Sequence, residues 1–440
     1  MIELKRADEV LTRLLPPVKP NAEVDYVPSQ FCLAFTYKGT SYVFNTLTKQ
    51  LAEAALPKSA RVGEGYDELI HCLMLVPQRK DECAYYNNIS TIYRVYNRKK
   101  GVQGYTILPT FACNARCVYC YEEDAEPLTM NAETVEQTIR YILSSRQGEH
   151  IGLNWFGGEP LLCPDIIDRI CAGVREAGLS YTSSMISNGS LITPTIIEKM
   201  TGDWKLKRIQ ISVDGAEEDY IARKRYLRYR DEYHRVMENI NALSKAGIRV
   251  NVRCNVDEGN WENTPRFLKD MEAAIERKEN VSIYFAPLNQ TKNSDSFLPL
   301  CKKITETRKD IAAAGFGAPS QLAYTEHFRV SHCMADAGSV VITPDGGLYP
   351  CEHCPPESRF GDIWQGVTDE SARRGFCRVD RTREKCRTCP FLPNCTSFAA
   401  CPIEAVSCRE SQEMLTIEML KAWIDKAQVG DSGDDEITFC

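Results

Sequence analysis

Three cysteines, Cys113, Cys117 and Cys120, lie within eight residues in the stretch FACNARCVYCYEE. Structural zinc is usually held by four ligands in two paired knuckles, and this stretch has no nearby histidine or fourth cysteine. A [4Fe–4S] cluster takes one ligand per iron, so three thiolates leave one iron with an open position. Because substrate chemistry occurs at open metal positions, the spacing favours a catalytic cluster over zinc or unligated thiols.

The composition of the 440-residue chain is typical of a globular protein with two or three domains, since 43% of the residues are hydrophobic and 26% are charged. The net charge of −7 gives no reason to expect a nucleic acid or an anionic membrane as a partner. No apolar run is long enough to span a bilayer, and the first residues, MIELKRADEV, lack the order of a signal peptide. We therefore expect a soluble, cytoplasmic protein.

The count of 20 cysteines is high for such a chain. Secreted disulfide scaffolds are short, so a long chain without an export signal favours metal or cluster ligation. Eight cysteines fall between Cys351 and Cys408. Single cysteines in apolar surroundings are interpreted as small buried side chains. The examples are Cys32, Cys72, Cys171 and Cys254.

Strand-like and helix-like segments alternate between residues 104 and 286, which predicts six βα units around a parallel sheet or partial barrel. Asn131 is expected to cap a helix that runs to about Arg146. Ligands of such folds bind at the carboxyl ends of the strands, where CNARCVYC, GGEP, SNGS, DGAEE and Asn255 fall. The predicted strands are 104–110, 150–156, 181–187, 206–213, 248–254 and 281–286.

The segments that flank this core have a different pattern. Residues 31–45 predict a hairpin that turns at Lys38-Gly39, and residues 48–56 and 66–76 predict short helices. Residues 339–351 predict a second hairpin around Pro-Asp-Gly. The last residues, 429–440, are acidic and are expected to be disordered.

The cysteine loop resembles the signature of the radical S-adenosylmethionine (SAM) family, Cys-x3-Cys-x2-Cys with an aromatic residue, here Tyr119, before the last cysteine. The resemblance implies that the three cysteines hold a [4Fe–4S] cluster and that SAM chelates its fourth iron. It also implies that the reduced cluster cleaves SAM to a 5′-deoxyadenosyl radical, which takes a hydrogen atom from the substrate. The cofactors carry that chemistry, and the protein orients them.

Further segments resemble SAM-binding motifs of the same family. Gly157-Gly158-Glu159-Pro160 resembles the GGEP motif, in which the glycines let backbone carbonyls approach and the glutamate faces the SAM ammonium group. By the same resemblance, Ser187-Asn188-Gly189 contacts the ribose and methionine end, and Arg223, after an Asp-Gly segment, contacts the SAM carboxylate. The cofactor-binding residues so implied are Tyr119, Gly157, Gly158, Glu159, Ser187, Asn188, Asp214, Arg223 and Arg253.

These segments have simpler alternatives. GGEP is compatible with any tight turn, and Asn-Gly readily forms an Asx-turn. The three consecutive basic residues 223–225 are compatible with a solvent-facing side of a helix.

From Cys333 onward the cysteines resemble the SPASM extension of radical SAM enzymes, which binds two auxiliary [4Fe–4S] clusters. By position, the resemblance implies that the first auxiliary cluster is held by Cys333, Cys351 and Cys401. It implies that the second is held by Cys386, Cys389, Cys395 and Cys408. A zinc ribbon built on the two Cys-x2-Cys pairs is the alternative.

The chain departs from the SPASM pattern in two places. Five residues rather than three precede Cys401, and the fourth ligand of the first auxiliary cluster is missing from its usual position. Cys354 is our first candidate for that ligand and Cys377 the second; otherwise an open iron could bind a substrate thiolate. Glu352 occupies the place of a catalytic Asp of sulfatase-maturing relatives, and an exposed hairpin glutamate is the alternative.

The N-terminal hairpin and helices resemble the winged-helix leader-binding module of ribosomal-peptide maturases, in which a leader peptide adds to an open strand edge. A structural cap on the barrel is the alternative. We expect an α/β protein with a winged-helix-like domain (1–100), a partial (βα)6 radical SAM barrel (101–300), a cysteine-rich SPASM domain (301–428) and the acidic tail.

The predicted function is maturation of a ribosomally made precursor peptide, with SAM and three [4Fe–4S] clusters as cofactors. The expected product is a crosslink, most plausibly a thioether, with the surplus electron leaving through the auxiliary clusters. A flavodoxin or ferredoxin would supply electrons, and neither a nucleic acid nor a membrane is expected as a partner. The alternatives are a cyclophane-forming maturase, a sulfatase-type maturase and a non-enzymatic iron–sulfur electron carrier or zinc-binding module.

Overall fold

The computed structural model describes only part of the chain. The residues described are 15, 19–96, 102–228, 230–288, 295–317, 338–353, 355–375, 384–394 and 408–429. Within these ranges, no helix combines the length and the apolar character needed to cross a bilayer.

The N-terminal part contains two small antiparallel sheets. Strands β2, β3 and β4 form one, and β1 pairs with β5 in the other. The hairpin predicted at Lys38-Gly39 is confirmed, and both turn residues have positive φ, as a tight two-residue turn requires. The elements are β1 (Tyr26–Pro28), β2 (Cys32–Tyr37), β3 (Thr40–Asn45), β4 (Leu51–Glu53), α1 (Asp67–His71), β5 (Leu75–Pro77) and α2 (Glu82–Tyr96).

The helix predicted over residues 48–56 is wrong, because β4 lies there. Leu51 packs into one apolar cluster and Ala52 into another on the opposite face of the sheet. That alternation has the period of a strand, and packing on two sides overrides the helix propensity of a short segment. The helix predicted over residues 66–76 is shorter than expected, since α1 ends at His71.

Six parallel strands form the centre of the molecule and follow chain order across the sheet. All six predicted strands are confirmed, and so is the α/β fold class. The core elements are β6 (Gly104–Ile107), α3 (Ala132–Ser145), β7 (His150–Trp155), α4 (Pro164–Glu176), β8 (Ser180–Ser187), α5 (Pro194–Thr201), β9 (Leu206–Ser212), α6 (Glu217–Lys224), α7 (Glu232–Lys245), β10 (Arg249–Val256), α8 (Thr264–Ala274) and β11 (Val281–Pro287).

Sequence signals explain where these core elements begin and which face they bury. Asn131 caps α3 as predicted, because its side-chain oxygen accepts a hydrogen bond from the Thr134 backbone amide at 2.9 Å. Alternate strand residues, such as Leu153, Ile209 and Ile283, are buried in the main hydrophobic core. The intervening strand residues therefore face the other side of the sheet.

The sheet continues into the C-terminal part of the chain. β12 pairs in parallel with β6, and the predicted second hairpin is confirmed as β12 and β13. With β14 and β15 the sheet reaches ten strands. The elements are α9 (Phe297–Glu306), α10 (Arg308–Ala313), β12 (Ser339–Ile342), β13 (Gly347–Tyr349), β14 (Gly361–Asp362), β15 (Gly366–Val367), α11 (Glu370–Gly375), α12 (Glu384–Arg387) and α13 (Cys408–Val429).

The N-terminal part packs against the C-terminal part. Leu33 and Phe44 of its sheet share an apolar cluster with Phe391 and with Leu420 and Ile424 of α13. The second part of this interface is polar, since the side-chain amide of Gln30 donates to the Arg387 carbonyl at 3.0 Å.

Several predictions fall on residues outside the described ranges. These are the ligand assignments of Cys333, Cys354, Cys377, Cys395 and Cys401 and the disorder of residues 430–440. Cys408 begins α13, but its side chain is also outside the description. The SPASM assignment and the domain boundaries therefore stay predictions.

Candidate active site at the carboxyl ends of the strands

The cysteine loop follows β6 and is held in place by backbone hydrogen bonds to the end of α6. The Val118 amide donates to the Arg223 carbonyl at 2.9 Å, and the Leu227 amide donates to the Asn114 carbonyl at 2.9 Å. The cysteine loop and the end of α6 are more than a hundred residues apart in the chain. Their pairing fixes the three cysteines over the carboxyl ends of the strands.

The three thiols fit an iron–sulfur cluster better than a single zinc ion. Among the described residues, the one trio of possible metal ligands whose donor atoms all lie within 4.8 Å of one another is Glu217, Asp231 and His234. At least one pair of sulfurs in the loop is thus more than 4.8 Å apart, wider than the separation of about 3.8 Å that tetrahedral zinc imposes on its thiolates. A four-iron cluster, which gives each thiolate its own iron, accommodates that wider spacing.

Local polar groups also suit a cluster. Burial raises the pKa of Cys113 to about 11, so its thiolate needs a cation to persist at neutral pH. The Ala115 amide donates to the Cys113 sulfur at 3.5 Å, a contact that favours the thiolate. Burial also raises the pKa of Cys120.

Gly157 and Gly158 are required because the GGEP segment passes directly over the cysteine loop. A Cβ on Gly158 would lie 2.3 Å from the Ala112 carbonyl oxygen, and one on Gly157 would lie 2.4 Å from the Thr110 carbonyl oxygen. The Gly158 amide donates to Thr110 at 3.0 Å. The two glycines therefore allow this segment to pack directly on the backbone of the cysteine loop, and their predicted role in SAM binding stays a prediction.

The Glu159 carboxylate joins the ends of two neighbouring strands. Its side chain is 0% exposed. It accepts hydrogen bonds from the Ser187 hydroxyl at 2.9 Å, the Asn188 amide at 2.8 Å and the Leu161 amide at 3.1 Å. Burial raises the pKa of Glu159, and these donors oppose that shift. The predicted contact with the SAM ammonium group stays a prediction.

Asn188 links the segment after β8 to the cysteine loop. Its side-chain amide donates to the Asn114 side-chain oxygen at 2.8 Å, and it lies 4.0 Å from the Cys113 sulfur. Its own oxygen accepts from the Ser190 amide at 3.0 Å. That last contact is the Asx-turn considered above, so the turn and the approach to the cluster loop coexist.

Asp214, Lys224, Tyr119 and Asn255 form a buried polar cluster beside the cysteines. The Lys224 ammonium lies 3.3 Å from the Asp214 carboxylate, and the two side chains are 2% and 0% exposed. Lys224 and Asn255 each donate to the Tyr119 hydroxyl at 3.1 Å, and that hydroxyl in turn donates to Asp214. The predicted site residues Tyr119 and Asp214 are thus brought together.

The pKa shifts of this cluster follow from its burial and its charges. Burial lowers the pKa of Lys224, but Asp214 and Cys117 raise it by more, so the ammonium stays charged. Burial raises the pKa of Tyr119 well above its usual value. A protonated lysine and a protonated phenol therefore face the cysteines.

Lys224 is a buried charged residue of the candidate site that the sequence analysis missed. It lies four residues after Tyr220 on α6, and both side chains are buried on the same helix face. The i, i+4 spacing from the buried Tyr220 is the sequence signal that could have predicted an inward-facing Lys224. The interpretation of residues 223–225 as a solvent-facing stretch is wrong for Lys224.

Arg223, predicted to contact the SAM carboxylate, is held by a carboxylate of the chain itself. It makes two hydrogen bonds to Asp257, at 3.1 and 3.0 Å, and its side chain is 11% exposed. Its guanidinium carbon lies 5.8 Å from the centre of the Tyr119 ring. Arg253 extends from β10 and donates to the Asn255 side-chain oxygen at 2.9 Å.

A second group of predicted residues contacts the cysteine loop from the C-terminal part. The rings of Tyr121 and His353 are 4.1 Å apart between centres, which brings the segment of Cys351 and Glu352 close to the loop. The Cys351 thiol donates to the Glu352 carboxylate at 3.4 Å. Burial, and then the charge of Glu352, raises the pKa of Glu122 to about 7. Cys386 and Cys389 lie elsewhere, under the N-terminal sheet.

Comparisons of the sequence give the same family for this core. The sequence model of the radical SAM superfamily matches residues 107–271. The chain is 22% identical over 319 residues to an AdoMet-dependent heme synthase of Methanosarcina barkeri, across 64% of this chain and 88% of the synthase. It is 25% identical over 312 residues to a PqqA peptide cyclase of Streptomyces rochei, across 65% of this chain and 81% of the cyclase.

Solved structures share the fold. Native anSMEcpe with bound AdoMet and Cp18Cys peptide superposes with a TM-score of 0.59 at 16% identity, covering 74% of this chain and 99% of that one. Streptococcus suis SuiB bound to precursor peptide SuiA superposes with a TM-score of 0.51 at 14% identity, covering 85% and 95%. The non-enzymatic alternatives are wrong. Residues 107–271 of the chain form a radical SAM domain, and the chain is a radical SAM enzyme; members of that superfamily use SAM and a [4Fe–4S] cluster.

Proposed function

We propose that the protein is a peptide maturase that installs a thioether crosslink in a ribosomally made precursor peptide. The supporting observation is the likeness, over 74% and 85% of this chain, to the peptide-bound structures of anSMEcpe and SuiB. The similarity to a PqqA peptide cyclase points to the same substrate class. The small-molecule relatives, such as the heme synthase, offer the competing class.

The N-terminal sheet supports peptide recognition. β2 is an edge strand of the three-stranded sheet, with no further strand beside it in the described part of the chain. Ala34 and Thr36 on this strand are exposed, so an extended leader has room to add along its edge. The same sheet rests on Phe391 and α13. A leader bound there would be anchored next to the cysteine-rich C-terminal part.

The residues of the candidate site have distinct proposed roles. Cys113, Cys117 and Cys120 hold the cluster, and Lys224 supplies a buried positive charge next to it. When bound, the cluster and SAM supply a 5′-deoxyadenosyl radical that takes a hydrogen atom from the substrate. Glu352, which the Tyr121–His353 contact brings near the loop, accepts a proton. The SPASM cysteines hold two auxiliary clusters.

The chemistry balances as a two-electron oxidation of the peptide. Forming a thioether from a thiol and a C–H group removes two hydrogen atoms from the peptide. One leaves as a hydrogen atom in 5′-deoxyadenosine, and the other leaves as a proton and an electron. Capture by an aromatic carbon gives a cyclophane with the same balance, so product analysis separates these two outcomes.

The test is an anaerobic assay of the reconstituted protein with SAM, a reductant and small peptides encoded beside its gene. We expect 5′-deoxyadenosine and a peptide lighter by two hydrogen atoms, with about twelve irons per chain. Alanine at Cys113, Cys117 and Cys120 should abolish both products, whereas alanine at Cys72 should not. SAM cleavage without any peptide product, together with turnover of a small molecule, would contradict the peptide assignment.

A further inference from the structure

The face of the central sheet that does not pack on the helices is polar and half-buried. Along β7 to β11 the residues that alternate with the buried core residues include amides, hydroxyls and guanidinium groups. The members are Asn154, Ser184, Arg208, Gln210, Asn251, Arg253, Ser282 and Tyr284. This inner face leads from the cysteine loop into the barrel.

Two half-buried arginines of the inner face have no carboxylate partner among the described residues. Arg208 on β9 makes no ion pair within that part of the chain, and the hydrogen bond of Arg253 goes to the neutral side chain of Asn255 at 2.9 Å. Arg223, by contrast, is matched by Asp257. Half-buried guanidinium groups without a counter-ion are costly to the folded chain unless an anion from outside completes them.

Gln210 lies two residues after Arg208 on the same face of β9, and Tyr284 contacts it from β11. The Tyr284 hydroxyl donates to the Gln210 side-chain oxygen at 2.6 Å, which leaves the amide NH2 of Gln210 as a donor. Arg253 and Tyr284 are direct neighbours across β10 and β11. Burial raises the pKa of Tyr284, and the positive charges of Arg253 and Arg208 oppose that rise.

We propose that Arg208, Gln210, Arg253 and Tyr284 form a carboxylate-binding site inside the barrel that holds an acidic residue of the substrate peptide. This inference rests on the proposed function and specifies which kind of peptide the site accepts. A guanidinium group binds a carboxylate through paired, charge-assisted hydrogen bonds, so the site selects an acidic side chain or a terminal carboxylate over a neutral one.

The position of Arg208 favours the substrate over SAM as the source of the carboxylate. Ser212, at the end of β9, contacts Lys224 beside the cysteines at 2.6 Å. Arg208 precedes Ser212 by four residues and therefore lies about 13 Å deeper along the strand. A molecule docked at the cysteine loop would reach Arg253 before it reached Arg208.

The first test maps arginine modification by phenylglyoxal in the reconstituted, SAM-loaded enzyme. The probes are N-acetyl-glutamate N-methylamide and the matching glutamine compound. We expect the glutamate probe to protect Arg208 and Arg253 and the glutamine probe to protect neither, while exposed Arg140 on α3 reacts equally in all samples. Protection of both by SAM alone would assign the carboxylate to the cofactor, and no protection by the glutamate probe would likewise overturn the proposal.

The second test measures binding of the same probe by variants. Arg208→Gln should weaken binding of the glutamate probe at least about tenfold, the factor expected for one lost charge-assisted hydrogen bond, and Arg208→Lys should weaken it less. Arg140→Gln, at an exposed position on α3 and outside the proposed site, is the matched control and should bind as the parent does. Equal binding by parent and Arg208→Gln would refute the site. Neither test depends on turnover, so both can be interpreted even if the crosslinking assay detects no peptide product.

Discussion

Replacing Lys224 by methionine removes one half of a buried ion pair and keeps most of the side-chain volume. Asp214, at 0% exposure, is then left with a charge that Asn255 and Tyr119 only partly offset. Breaking a buried pair by removing one partner costs about 3–5 kcal/mol. We therefore expect Lys224→Met to lower the free energy of unfolding by about that amount, with a parallel loss of bound iron.

The control is Lys199→Met, which breaks the ion pair between Lys199 and Asp168. That pair is shorter, at 2.5 Å against 3.3 Å for Lys224 and Asp214, but its side chains are 32% and 36% exposed. Exposed pairs contribute about 0–1 kcal/mol, so the control should lose no more than that. Urea unfolding of the reconstituted proteins, with iron content measured on the same samples, gives both free energies.

The pH of the measurement follows from the direction of the pKa shift. The folded-state pKa of Lys224 is raised, so its contribution is fully present below the unfolded value of about 10.4 and is lost as pH rises through the folded pKa. Neutral pH therefore reports the whole effect. The reasoning is refuted if Lys224→Met costs no more than Lys199→Met, or if adding Asp214→Asn fails to restore part of the loss.

Three other predictions concern the glycines, a surface histidine and the auxiliary cysteines. Gly158→Ala should lower both the melting temperature and the iron content, because its Cβ would lie 2.3 Å from the Ala112 carbonyl oxygen. The control Gly178→Ala, which has open space around the new Cβ, should keep its iron. Equal iron content in the two variants would contradict the role of the close contact between Gly158 and Ala112. The pKa of His234 should lie above its usual value, mainly because of its hydrogen bond to Asp231. The small stabilising effect of that bond is therefore present at acidic pH and is lost as pH rises through the raised pKa. An NMR titration should show a lower pKa of His234 in Asp231→Asn, and an unchanged pKa would contradict the pairing. Alanine at both Cys386 and Cys389 should remove about four irons per chain while SAM cleavage persists in part; an unchanged iron count would exclude these cysteines as ligands.

Local patterns predicted the elements that depend on local chemistry. The six strands follow from their β-branched and apolar runs, and the start of α3 follows from the capping side chain of Asn131. The residues 48–56 show where such patterns fail, since nine residues contain too few turns to separate a helix from a strand. Packing of Leu51 and Ala52 into two different apolar clusters made the difference there.

The sequence by itself determined that three closely spaced cysteines, one of them preceded by an aromatic residue, stand after a strand of an α/β core. The tertiary structure alone decided which side chains surround them. Lys224 rather than Arg223 faces Asp214, and Asn255 reaches Tyr119 across a separation of 136 residues. The physical reason is that the ends of parallel strands gather distant residues into one buried place, where every charge must find a partner.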